Sequence, residues 1–427
     1  MKAEHNELLT RTGPGTPMGE LFRRYWMPVL LSWELPGPDC APVRVKCLGE
    51  RMVAFRDTEG RLGLVDEFCA HRGVSLFFGR NEERGLRCPY HGWKYDVTGQ
   101  CIEVPSESEE SGFCRKIKLK SYPLVERGGV IWVYMGPAEQ RPPLPEWEFA
   151  TVPPEQSYMS KRWQECNWLQ AMEGGIDSSH VSFLHSGQLN HDPLFKGAKG
   201  NQYNLTDRKP VFEVVESEGG LYIGARRKAE DGKYYWRITP WVMPCFTMVP
   251  PRGDHPMHGH FWVPMDDENC MAWSFDYHPV RPLSVAERKA MEEGRGVHVR
   301  VDPVTFRPLQ NKDNDYLIDR ESQKSGRNYS GVEGIGMQDA SLQESMGPIQ
   351  DRTRENLVST DNGIIMARHR LMKAARDLAA KGALPPGREP AQQRVRSVAV
   401  VLPSDTPFKE GAGEALKAKQ GVAQTSV

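Results

Sequence analysis

Cys69-Ala70-His71-Arg72-Gly73 and Cys88-Pro89-Tyr90-His91-Gly92-Trp93 decide how this chain is read, and sixteen residues lie between His71 and Cys88. Each half offers one thiolate and one imidazole. Two such halves can hold a [2Fe–2S] cluster, with Cys69 and Cys88 on one iron and His71 and His91 on the other. Replacing two thiolates by neutral imidazoles removes negative charge from the cluster. That raises its potential from about −400 mV in all-cysteine ferredoxins to between about −150 and +300 mV. A glycine follows each half, where loop backbone can approach the sulfurs and donate N–H groups. The rival reading is a Cys2His2 zinc site, but zinc sites more often pair Cys with Cys and His with His, as C-x2-C and H-x3-5-H.

Working outward, 427 residues suggest two domains, or one large and one smaller. With 55 Lys and Arg against 56 Asp and Glu, there is no basic stripe to argue for nucleic acid. The opening residues have no apolar signal core, and no run of about 18 apolar residues could span a membrane. The nine cysteines show no even framework, which fits a reducing cytoplasm where thiolates stay available for iron. Cys40, Cys47, Cys101, Cys114, Cys166, Cys245 and Cys270 read as packing residues.

Residues 1–26 form a lead-in. Met18, Leu21, Phe22 and Tyr25 have helical spacing, and Pro28 is expected to end that helix. Residues 27–140 carry short β-type runs separated by turns, a small antiparallel β domain with the cluster motif on two hairpin tips. Gly136 to Pro145 reads as a linker. Residues 141–381 open with a helical stretch, Asn167 to His185, expected to break near Gly174-Gly175. Strand-like runs follow from Val211 to Tyr277, then helices at Val285–Glu293 and Asp339–Arg376. The fold expected is α+β, the β domain joined to a larger domain with an antiparallel sheet flanked by helices. Residues 382–427, rich in Pro, Gly and Ala, form a C-terminal tail, some of it expected to be extended, wrapped on the surface or mobile.

A second metal site suggests itself at His180 and His185. Two histidines and a carboxylate give iron(II) one bound face and leave open positions for O2. Residues five apart on a straight helix diverge by about 140°, so one metal requires a bend. Spacing alone is weak; the electron-delivering cluster in the same chain gives it weight. No GxGxxG fingerprint marks a nicotinamide or flavin domain, so electrons must arrive from a separate protein.

Asn167-Trp168, Gln170, Glu173-Gly174, Asp177, His180 and His185 together resemble the mononuclear-iron motif of the Rieske non-haem iron aromatic-ring hydroxylating oxygenases, and the two cysteine–histidine loops resemble their Rieske signature. The resemblance runs from about Leu8 to about Arg376. Leu9-Thr10-Arg11, Gly13 to Gly19, Gln338-Asp339 and Glu344 to Ile349 look like the phthalate dioxygenase-like group of oxygenase (alpha) components. It implies a helix-grip catalytic domain. It also implies a cluster held by Cys69, His71, Cys88 and His91, and a mononuclear iron(II) held by His180, His185 and a downstream aspartate. Asp339, Asp351 and Asp361 are candidates. Asp339 is chosen because Glu344 follows at the family spacing; Asp361 is the runner-up.

The resemblance further gives Asp177 the role of bridging His180 to a cluster histidine of a neighbouring subunit; the plainer alternative is that Asp177 caps a helical turn. A heterologous contact of that kind has to close, so a homotrimer or stacked trimers is implied. The partners implied are an NAD(P)H-dependent reductase with flavin and a ferredoxin-type centre, O2, and an aromatic substrate, carboxylated as phthalate is. Arg208, Arg226, Arg227, Arg237 and Arg252 are candidates to hold that carboxylate. His258 and His260, on one face of a strand, could line the pocket. The expected reaction is cis-dihydroxylation in the cytoplasm. A Rieske monooxygenase or O-demethylase is the alternative, and an electron carrier without oxygenase chemistry a second one.

Overall fold

The structure, a computed structural model, describes residues 1–251 and 253–418. Two short helices open the chain, α1 (Ala3–Thr10) and α2 (Pro17–Phe22). Thr16 caps α2 by accepting from Gly19 N at 3.1 Å, and Pro17 fills a first-turn position where its missing N–H is not needed. Pro28 does not end a helix. The helix stops at Phe22, and Pro28 lies inside strand β1 (Trp26–Leu31). Proline is tolerated there because β1 is the edge of its sheet and the pairing slips between Pro28 and Leu30.

Nine further strands complete the first half: β2 (Val43–Cys47), β3 (Glu50–Arg56), β4 (Leu62–Asp66), β5 (Arg80–Glu82), β6 (Gly85–Arg87), β7 (Lys94–Tyr95), β8 (Cys101–Glu103), β9 (Leu124–Arg127) and β10 (Val130–Tyr134). They form three antiparallel sheets, ordered β1-β10-β9, β2-β3-β4 and β5-β6-β7-β8. Val53, Phe55, Leu76, Leu86 and Tyr95 make a small core under the cluster loops. Side chains of β1 and β10, Trp132 among them, belong instead to the main core of the molecule. The cluster loops therefore ride on a small cap whose base is anchored in the larger domain.

The second half begins with β11 (Ser157–Gln164), α3 (Trp168–Ile176) and α4 (Gly200–Thr206). Strands β12 (Val211–Glu216), β13 (Gly220–Lys228), β14 (Lys233–Val242), β15 (Phe246–Val249), β16 (Met257–Pro264) and β17 (Cys270–Tyr277) follow, then helices α5 (Val285–Glu292), α6 (Arg320–Lys324), α7 (Ile335–Ser345) and α8 (Asn362–Lys381). The sheet is antiparallel in the order β11-β17-β16-β15-β14-β13-β12. Helix α3 lies against β15 and β16, and α8 against β12, β13 and α2. The stretch from Asp339 to Arg376 is not one helix. It stops near Met346, where Gly347 takes a φ of +90° and Pro348 lacks a donor, and resumes at Asn362.

The end of the described chain is structured: α9 (Pro390–Gln393), β18 (Val398–Pro403) and α10 (Phe408–Ala412). Strand β15 pairs only with Trp241 and Val242 of the ten-residue β14, leaving the rest of that edge open. Strand β18 covers it from Lys233 to Ile238. Val398 to Pro403 is the extended part of the tail, held on the sheet because an unpaired stretch of β14 gives it a ladder to join.

Candidate active site

The two cluster loops repeat one hydrogen-bond pattern. Cys69 N donates to Val74 O at 2.9 Å and Cys88 N to Trp93 O at 2.8 Å. Gly73 N and Gly92 N return to the carbonyls of Cys69 and Cys88 at 2.9 and 3.0 Å. Both glycines sit at positive φ, +71° and +76°, a conformation that side chains resist. The pattern turns both cysteines inward and both histidines outward: Cys69 and Cys88 are buried while His71 and His91 are exposed. The imidazole rings stand 4.4 Å apart, and His71 stacks on Trp93. Tyr95 Oη lies 3.2 Å from Cys69 Sγ and also accepts from Ala70 N. The quartet offers two thiolates and two imidazoles, the donor set of the two-iron cluster. Among the described residues His180, His185 and Asp339 bring ligand atoms within 4.8 Å of one another.

Helix α3 delivers the second site. It runs through Gly174 and Gly175 and ends at Ile176, so the expected break falls two residues later than those glycines. Their purpose is close approach: a Cβ on Gly174 would stand 2.1 Å from Gln343 Nε2, and one on Gly175 2.8 Å from Thr247 Oγ1. Asp177 turns the chain out of the helix, and a 3-10 turn at His180–Ser182 supplies the bend that two histidines five apart require. His180 Nε2 and His185 Nε2 come within 3.1 Å of each other. Asp339 Oδ1, from α7, lies 3.5 and 3.3 Å from them. The outer nitrogens are already engaged, His180 Nδ1 with Asp177 Oδ2 at 3.2 Å and His185 Nδ1 with Gln338 Oε1 at 2.8 Å. Two lone-pair nitrogens and a carboxylate oxygen therefore point at one spot, which is stable only around positive charge. A divalent cation fits there.

Burial pushes the Asp177 carboxyl up, but the His180 and Ser179 donors outweigh it and hold its pKa at about 2. Burial likewise opposes ionisation of Asp339, yet His185 and His180 keep it below the ordinary value. The other aspartates lie elsewhere. Asp361 Oδ2 accepts from Val358 N at the start of α8, and Asp351 Oδ1 from Thr353.

The cavity beside this trio is lined by His258, His260, Trp262 and Arg237 among others. His260 Nδ1 meets Ser274 Oγ at 3.1 Å. Arg227 on β13 and Arg237 on β14 are diagonal neighbours on one sheet face, both about 1 % exposed. Arg227 donates to Ser178 O and Ser182 Oγ, and Arg237 Nε to Ser178 Oγ. The Nη1 atom of each has no hydrogen-bond partner among the described residues. Burial, and then the charge of Arg237, brings Arg227 down to about 10. Arg208 and Arg226 are surface groups, lying over Phe183 and Tyr234. Arg252 lies outside the described residues.

Sequence reasoning passed over two residues. Gln338 supports His185 and is signalled only by standing next to Asp339. Buried Arg162, whose charge is felt by Asp339, donates to Ser274 Oγ and Val297 O, and nothing in its local sequence marks it.

Both halves of the chain match known proteins. Residues 25–123 match the Rieske [2Fe-2S] domain, and residues 133–425 match the LigXa C-terminal domain like family. The 3-chlorobenzoate-3,4-dioxygenase oxygenase subunit of Comamonas testosteroni is 39% identical over 406 residues, covering 91% of this chain and 92% of that one. The phthalate 4,5-dioxygenase oxygenase subunit of Pseudomonas putida is 36% identical, covering 95% and 94%. The 5,5'-dehydrodivanillate O-demethylase oxygenase subunit of Sphingobium sp. is 32% identical, covering 87% and 80%. Dicamba monooxygenase bound to dicamba shares the fold, with a TM-score of 0.58 over 84% of this chain and 99% of that one at 17% identity. No helix among the described residues is long and apolar enough to cross a membrane. Matches of this extent, to both halves at once, make the chain a member of the Rieske non-haem iron oxygenases, enzymes that carry a Rieske [2Fe–2S] cluster and a mononuclear non-haem iron and incorporate O2.

Proposed function

We propose that this chain dihydroxylates a carboxylated aromatic ring, with Cys69, His71, Cys88 and His91 holding the cluster and His180, His185 and Asp339 holding the iron. The observation that carries the substrate class is the guanidinium pair. Two buried cations stand side by side, each with an Nη1 that has no hydrogen-bond partner and no carboxylate paired to it among the described residues, and Arg237 lines the cavity that His180 and Asp339 also line. A buried charge left uncompensated is costly, so a ligand carboxylate is the natural counterion. Trp262 and His260 offer flat surfaces for a ring on the same cavity wall. His180, His185 and Asp339 would hold an iron that, when bound, would supply O2 activation, and Cys69, His71, Cys88 and His91 would hold a cluster that supplies electrons.

The remaining work falls to the protein. Arg237 orients the carboxylate so that the ring edge faces the His180, His185 and Asp339 side. Asp177 fixes the His180 ring through Nδ1 and presents its carboxylate on the opposite, outer face. That face carries exposed Leu342, Met346 and Leu357. The cluster tip is likewise exposed, with His71, His91 and the 56 % exposed Tyr90. These two surfaces suit a head-to-tail contact in which Asp177 of one subunit meets a cluster histidine of the next, closing as a trimer. A separate cytoplasmic reductase using NAD(P)H, with flavin and a ferredoxin-type centre, feeds the cluster.

The guanidinium reading is tested by Arg237→Gln assayed on a benzoate-type acid and on its uncharged amide. KM for the acid should rise about tenfold or more, as expected for losing a charged hydrogen bond, with little change for the amide. Equal effects on both would remove the carboxylate from the argument.

A further inference from the structure

Two histidines converge on the metal position, yet different groups stand behind them. His180 is backed by the Asp177 carboxylate and His185 by the Gln338 amide. Gln338 is fully buried on α7, one residue before Asp339. An amide can present either of its ends, and here the surroundings leave one choice. Gln338 Nε2 lies 3.0 Å from Asn328 Oδ1 and 3.2 Å from Val332 O, both acceptors.

Asn328 is itself fixed. Its Nδ2 donates to Val332 O at 2.8 Å, and its Oδ1 accepts from Gly331 N at 3.1 Å and Ser330 Oγ at 3.3 Å. The amino group of Gln338 must therefore face Asn328, and its carbonyl oxygen must face His185. That oxygen can only accept, so the proton of the neutral ring sits on Nδ1. The lone pair is left on Nε2, the nitrogen that faces His180 and Asp339.

We propose that Gln338 is the positioning residue for His185, holding it in the tautomer and orientation that bind iron, and that Asn328 sets the direction of the Gln338 amide. The arrangement also divides labour. A neutral amide adds no charge behind His185, so the charged coupling to the metal runs through Asp177 and His180 alone. Support of this kind is worth about 10- to 100-fold in metal affinity.

The inference rests on the iron reading above, and the test separates the two. The probe is Co(II), added to protein that keeps its oxidised cluster but has lost mononuclear iron by mild chelation. Affinity is read by equilibrium dialysis and ligand geometry by the Co(II) electron paramagnetic resonance signal. Gln338→Met, of similar length but without the acceptor, should bind Co(II) about 10- to 100-fold more weakly with an altered signal. Gln338→Glu, protonated against Asn328 Oδ1 and Val332 O, keeps both the donor on that side and an acceptor oxygen on His185, and should stay within about threefold of the parent protein. Asn328→Ala, which frees the Gln338 amide to turn, should weaken binding severalfold and serves if Gln338→Met does not fold. Parental affinity and signal in Gln338→Met, or in Asn328→Ala where that variant stands in, would overturn the inference alone, as would a Gln338→Glu protein as weak as Gln338→Met. Parent protein that takes up no Co(II), or keeps it equally well in Asp339→Ala, would overturn the iron reading and this inference with it.

Discussion

Single side chains separate the two metal sites. Asp339→Ala should lower the iron content from about three to about two per chain while leaving acid-labile sulfide unchanged, because only the mononuclear ligand set is broken. Asp361→Ala should keep all of it, since that carboxylate only accepts from Val358 N in the turn before α8. The reverse pattern would move the ligand to Asp361. The ligand types were legible in the sequence because Cys-x-His and Cys-x-x-His carry their chemistry in their spacing. The selection of Arg237 and Arg227 from five arginines was not. What distinguishes them is burial without an acidic partner, a property of the packed sheet that no neighbour along the chain announces.

At the scale of elements, the helix α3 does more than its periodicity shows. Gly174-Gly175 reads locally as a helix break, yet the helix passes through it, because small residues there let α3 approach α7 and the sheet. The proposed carboxylate ligand is on α7 and the proposed histidine ligands just beyond α3, so this approach sets how the three groups converge. Gly175→Ala drives a methyl into Thr247, which is buried and holds Trp262 Nε1 at 3.0 Å. The strain should cost about 1–2 kcal/mol in chemical unfolding, despite the better helix propensity of alanine. Mononuclear iron occupancy should fall with it. A variant with parental stability and full iron would show that the approach of α3 to the sheet is not what shapes the site. Strand positions were largely legible from alternation and turns. The joining of Val398–Pro403 to β14 was not, because an open edge on a distant strand decides it.

For the whole molecule, the cap-on-base arrangement leaves His71 and His91 at an exposed tip and Asp177 at a separate apolar-rimmed face. If electrons cross between subunits, one chain with a broken cluster and another with a broken iron site complement each other. Cys69→Ser protein should be inactive alone, and so should His180→Ala protein. Mixed and reassembled as hybrids, they should regain a sizeable fraction of activity. No recovery in verified hybrids would confine transfer to one chain and remove the reason for the trimer. The trimer itself has no local signature; it enters from the family resemblance and from which surfaces the fold leaves apolar.

The most direct measurement is turnover under isotopically labelled O2, with a surrogate reductase, across a panel of benzoates, phthalates, phenoxy acids and their uncharged analogues, read by mass spectrometry. The account predicts a ring product that carries both labelled atoms, formed from a carboxylated substrate and not from its amide. One labelled atom in the product, or formaldehyde released from a methoxy substrate, would contradict dihydroxylation; equal turnover of acid and amide would contradict the role given to the guanidinium pair.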